Sequence, residues 1–122
     1  MLLVDDDEEV AALVGEMLEH LGYRVAHATS ATEALCALEN ARKVDLVFSD
    51  VMMPGGMNGV ELAREIRTRA LGVPVLLTSG YAEAARKSAA AEGVHVLAKP
   101  YSLEDLATAL REAIDSAGAA AR

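Results

Sequence analysis

The sequence is poor in several features, and each shortage excludes something. It holds one cysteine, Cys36, so no disulfide can close within the chain and a reducing, cytoplasmic compartment is expected. Tryptophan is absent. Tyr23, Phe48, Tyr81 and Tyr101 are the only aromatic residues, too few for base-stacking platforms. Basic residues are outnumbered: 11 Lys and Arg against 19 Asp and Glu give a net charge of -8, which argues against direct contact with nucleic acid or anionic lipid. No apolar run approaches the ~20 residues that span a bilayer, so no membrane contact is expected. Met1–Val4 is too short for an apolar leader and lacks a basic start, so no signal peptide is expected. What remains is a chain of 122 residues, 52% hydrophobic and 25% charged, which excludes a disordered polymer and fits one domain.

Five short apolar runs read as strands: Met1–Val4, Tyr23–Ala26, Leu46–Phe48, Val73–Leu77 and Val94–Ala98. Helical spacing fills the gaps. Val10, Leu13, Val14, Met17, Leu18 and Leu21 recur at i, i+3, i+4, i+7, and Gly22 stands where a helix ends. Ser30 and Glu33 read as a capping box for a second helix, with Ala34, Leu35 and Leu38 inward. A third is expected from about Val60 to Arg69, and an alanine-rich fourth around Ala82–Glu92. Ser102 caps a fifth, with Leu103, Leu106, Leu110 and Ile114 in the core. Residues 1–116 form the domain, and 117–122 read as a frayed tail. Strict alternation implies an α/β fold with helices on both faces of a parallel sheet. The expected form is the flavodoxin-like (βα)5 doubly wound sheet, a single domain whose strand order is 2-1-3-4-5.

The polar residues collect where the strands end. Strand 1 runs into Asp5, Asp6 and Asp7; strand 3 into Ser49 and Asp50; strand 4 into Thr78 and Ser79; strand 5 into Lys99-Pro100. Strand 2 offers only His27 and Ala28. In the 2-1-3-4-5 order the four chemically rich tips are neighbours, at the edge where such sheets bind ligands. Carboxylates held together repel, and a divalent cation relieves the repulsion. An oxygen-only donor set suits Mg2+ or Mn2+ rather than zinc. A carboxylate beside such a cation can attack phosphorus, while a hydroxyl and an ammonium hold the phosphoryl oxygens. Pro100 restricts the backbone of Lys99 and helps aim its side chain.

Asp5-Asp6, Asp50, Ser79 and Lys99-Pro100, in that order, resemble the receiver domain of two-component response regulators. The resemblance runs from Leu2 to about Ile114. The segments from Asp50 to Gly59 and from Leu76 to Tyr81 look most like receivers fused to hybrid histidine kinases. It implies that Asp50 is the phosphoacceptor. Asp6 and Asp50 would ligate Mg2+, Met52 through its backbone carbonyl and Asp5 through water. Ser79 would hydrogen-bond the phosphoryl group, and Lys99 would pair with it. The partner would be a histidine kinase or a histidine phosphotransfer protein. Such a domain catalyses its own phosphorylation and dephosphorylation without turning over a small molecule. The family pairs through the fourth helix, fifth strand and fifth helix, but an alanine-rich fourth helix offers little apolar area, so at most a weak homodimer is expected. Two departures stand out: Gly55-Gly56 adds a residue after Pro54, and Val96 stands where the family carries an aromatic switch residue, leaving Tyr101 or Tyr81 as substitutes.

Other readings stay beside these. A stand-alone response regulator would use the same residues. A small Mg-dependent aspartyl phosphatase would need its nucleophile on strand 1 and a second acid two positions on, where Asp50 is followed by Met52. A flavin binder would need a phosphate loop where this chain has acids. Thr78 competes with Ser79 as the phosphate hydroxyl, though the Ser-Gly register favours Ser79. Asp7 reads as a helix cap. His20, His27 and His95 read as surface or packing residues, and Cys36 as a small buried one. Ala11 and Gly15 either leave a flat surface for a partner helix or are merely small.

Overall fold

A computed structural model of the chain describes residues 1–40, 44–52, 57–69, 72–80 and 93–120, the side chains of 116–120 excepted. In chain order the elements are β1 (Leu2–Val4), α1 (Glu8–His20), β2 (Ala26–Ala28), α2 (Ala31–Asn40), β3 (Val47–Asp50), α3 (Gly59–Thr68), β4 (Val75–Ser79), β5 (His95–Ala98) and α4 (Leu103–Ala120). The strands form one parallel sheet in the order β2-β1-β3-β4-β5, the order expected of the flavodoxin-like fold. The expected helix around 82–92, with Tyr81, lies outside the described residues, as does the 53–56 segment with its glycine pair.

Successive strand residues face opposite sides of a sheet, and the core divides accordingly. Leu2, Val4 and Val47 pack with Ala31, Ala34, Leu35 and Leu38 of α2 and with Leu62 and Ile66 of α3. Leu3, Phe48 and Leu76 pack on the other face with Val14 and Leu18 of α1 and with Leu106 and Leu110 of α4. Among the described residues no helix is long and apolar enough to cross a membrane.

The helix ends follow the capping chemistry. Asp7 caps α1, its carboxylate accepting from the Glu9 and Val10 amides at 3.0 and 3.2 Å. Ser102 caps α4 reciprocally with Asp105. Asn58 and Glu61 form a full capping box on α3 that the sequence reading does not anticipate. Ser30 accepts the Glu33 amide at 3.1 Å, but the Glu33 carboxylate takes the Thr29 hydroxyl rather than closing a box on Ser30. α4 continues to Ala120, into the segment expected to fray.

Four expectations are corrected. β2 occupies Ala26–Ala28, not Tyr23–Ala26. Gly22 adopts φ 96°, its amide bonds the Glu19 carbonyl, and Tyr23 returns its amide to Leu18. That is a Schellman cap, so Tyr23 ends the helix and the strand begins later. β3 and β4 each extend further towards the chain's carboxyl end than their apolar runs, because Asp50 pairs with Thr78 in the ladder. Cys36 is exposed: the buried stripe of α2 is Ala31, Ala34, Leu35 and Leu38, and position 36 lies off it. Leu13 is likewise off the stripe of α1 and is 62% exposed.

Candidate functional site

The site begins with what ends the strands. β1 stops at Val4, and Asp5 turns the chain into α1. The Asp5 carboxylate accepts the Asp7 amide at 2.9 Å, which folds the acidic turn back on itself. Asp5 is only 7% exposed, whereas Asp6 and Asp7 are exposed. Asp50, the last residue of β3, lies half-buried across from it. Its Oδ1 accepts the Met52 amide at 3.0 Å. Its Oδ2 accepts from Lys99 Nζ at 2.5 Å, the contact that joins the β3 and β5 tips. Lys99 precedes Pro100 through a cis peptide bond, and its amide is held by the Ser79 carbonyl at 3.0 Å.

A cavity of about 10 Å3, room for one water, opens here. Asp5, Asp50, Thr78, Lys99 and Tyr101 contribute to its wall, above Val14 and Phe48. The Tyr101 ring meets Phe48 edge to face, with centroids 6.2 Å apart. Burial, then the negative charges of Asp5 and Asp50, push the Tyr101 phenol up to about 12.

The two candidate hydroxyls part at this point. Thr78 lines the cavity and donates to the Leu97 carbonyl at 2.9 Å, so its proton is committed to β5. Ser79, one residue on and 1% exposed, pairs with Ala98 at the very end of β4. Val96 packs with Val51, Val60 and Leu77, away from the cavity wall. The Met52 side chain is 64% exposed. His27, set aside in the sequence reading, contacts the backbone of Asp5 at 2.8 Å. Its one signal in the sequence is position: β2 neighbours β1, so the tip of β2 adjoins the acidic turn.

The donor set fits a hard divalent cation. Burial raises the Asp5 carboxyl pKa; the Asp7 amide lowers it, the Asp50 and Asp6 charges raise it again, and Lys99 lowers it. The balance is upward, so a buried carboxylate faces two like charges with a single ammonium to offset them. Among the described residues no three acidic, His or Cys side chains close into a cage. The residues present suit an ion that keeps waters and takes backbone carbonyls, as Mg2+ does.

The model for the response regulator receiver domain matches residues 1–111. The chain belongs to this family. As a receiver domain it is a module of two-component, phosphorelay signalling. It is 39% identical over 118 residues to the sensor kinase CckA of Brucella abortus, covering 94% of this chain and 12% of that protein. It is 37% identical over 122 residues to the transcriptional regulatory protein GlrR of Escherichia coli, covering 98% and 27%. A receiver domain protein from Clostridium thermocellum has the same fold, with a TM-score of 0.84 at 30% identity, over 94% of this chain and 93% of that one. The receiver thus spans a minor part of both curated relatives.

Proposed function

We propose that this receiver takes a phosphoryl group from a phosphohistidine, carried by a histidine kinase or a histidine phosphotransfer protein, onto Asp50. The observation that carries the reading is the Lys99 ammonium seated on Asp50 at the edge where Asp5 and Asp6 also stand. A carboxylate oxygen of Asp50 attacks phosphorus, the O–P bond forms as the N–P bond breaks, and the electron pair returns to the imidazole. Lys99 and the Ser79 hydroxyl hold the phosphoryl oxygens, and Lys99 offsets their charge. Asp5, Asp6, Asp50 and the Met52 carbonyl would hold Mg2+ or Mn2+, which supplies further positive charge for the transferring group. Attack of water on phosphorus then breaks the acyl O–P bond, releasing inorganic phosphate and regenerating the carboxylate.

The exposed Val10 and Leu13, which follow the acidic turn on α1, suit a partner's helix, whereas Ala11 and Gly15 are buried and present no surface to one. The identity with a sensor kinase supports a hybrid histidine kinase as parent. The identity with a transcriptional regulator favours a second reading, a response regulator in its own right. The parent open reading frame separates the two. A cytoplasmic location and weak self-pairing at most accompany either reading.

The test is incubation with acetyl phosphate and Mg2+ followed by intact mass. The expected result is addition of one phosphoryl group, lost on chelation and lost in Asp50→Asn. Labelling of Asp50→Asn at the parent's level would place the acceptor elsewhere.

A further inference from the structure

β2 does more than close one side of the sheet. Its last ladder pair is Val4 with Ala28, and beyond it the Asp5 amide donates to the Ala28 carbonyl at 3.1 Å. The other end of the same residue is also held from β2: the His27 ring places Nε2 2.8 Å from the Asp5 carbonyl oxygen. A carbonyl only accepts, so Nε2 carries the hydrogen in this contact. The Asp5 carbonyl and the Asp6 amide share one rigid peptide plane. Fixing that carbonyl therefore fixes the direction in which the chain leaves Asp5 for Asp6. The carboxylate of Asp5 is separately tied to the Asp7 amide. Residue 27 is thus a side chain from a neighbouring strand that sets the peptide between the two acids.

We infer that His27 is a positioning residue for the acidic turn, and that its ring donor sets the affinity of the Asp5–Asp6 pair for a divalent cation. The inference rests on the Mg2+ reading of the site. Groups that orient metal ligands from outside commonly govern affinity, because a ligand held in place loses less freedom when the ion arrives. The contribution of one such bond predicts a loss of about three- to tenfold.

The experiment is a Mg2+ titration of the full chain by calorimetry at fixed pH, on the parent and three variants. His27→Ala removes the ring and the donor. His27→Phe keeps a ring without a donor, and so keeps the test alive should the alanine variant fold poorly. His27→Gln returns an N–H donor of similar reach. A dissociation constant measured on folded protein does not contain the folding equilibrium, so a merely structural role leaves it unmoved. The expected result is binding weakened about three- to tenfold in both His27→Ala and His27→Phe, and restored to within about twofold of the parent in His27→Gln. Parent-like affinity in His27→Phe, or no recovery in His27→Gln, overturns the inference and leaves the proposed function standing. A parent that binds no Mg2+ overturns both.

Discussion

Among the described glycines, Gly59 is the one where an added methyl group would meet its neighbours. It opens α3, its amide bonds the Val51 carbonyl at 3.0 Å, and it is buried against the end of β3. A Cβ built there would lie 2.5 Å from the Asp50 carbonyl oxygen and 3.0 Å from both Val51 Cα and Leu77 Cδ2. Ordinary carbon–oxygen contacts start near 3.3 Å, so something must move by roughly 0.8 Å. Two of the three neighbours are backbone, and the nearest belongs to the proposed phosphoacceptor. Overpacking of this kind costs about 1–3 kcal/mol. Alanine recovers up to about 1 kcal/mol over glycine in a helix interior, and less at a first turn. Gly59→Ala is therefore expected to lose about 1–2 kcal/mol, or about 4–8 °C in Tm for a domain of this size. Urea denaturation with an unchanged m-value measures it. Gly15→Ala is the internal control: it is also buried in a helix, but an added Cβ meets nothing within 4 Å. That variant is expected to gain about 0.5–1 kcal/mol. Equal effects at the two glycines, or a stabilised Gly59→Ala, would refute the steric argument.

Two further outcomes follow from charge. The raised Asp5 carboxyl means the fold prefers it protonated, so ionised Asp5 costs stability at neutral pH and the cost disappears as pH falls through its raised value. Asp5→Asn keeps the acceptor for the Asp7 amide and is expected to be the more stable protein without divalent cation; a less stable variant would contradict this. Mg2+ at ten times its Kd should stabilise the parent by about 1.4 kcal/mol and the variant by less. The Tyr101 phenol, raised to about 12, contributes stability that is complete below the ordinary value of 10.0 and is lost as pH rises through about 12. Discounted for a partly exposed ring, that is about 1 kcal/mol. Alkaline unfolding of Tyr101→Phe should therefore fall less steeply between pH 10 and 12, and an identical slope would show that the phenol is not where the structure puts it.

The parallel sheet and the clustering at its edge are legible in the sequence, because buried parallel strands announce themselves as apolar runs and their polar ends must fall on one side; the strand order comes with the fold type and not from the runs. Register is less so. Asp50, Thr78 and Ser79 belong to the strands through backbone pairing, which apolar content does not record. Tyr23 reads as strand by composition, yet its amide serves the Schellman cap of α1. Cys36 looks like a core residue by type, but exposure is set by its angle on α2. His27 has no partner at any sequence spacing that suggests one, since its contact is to backbone 22 residues away. On paper only the Ser-Gly register separates Ser79 from Thr78; the Leu97 carbonyl that engages Thr78 appears only once β5 is in place.

The central claim is that phosphoryl chemistry happens at the Asp50 carboxylate beside Lys99. Borohydride reduces an aspartyl phosphate to homoserine, so peptide mapping after reaction with a phosphodonor, Mg2+ and borohydride reads the acceptor directly. The account predicts homoserine at position 50 and at no other acid. Homoserine at position 5 or 6, or reduction nowhere in a protein that has gained phosphate, would contradict it.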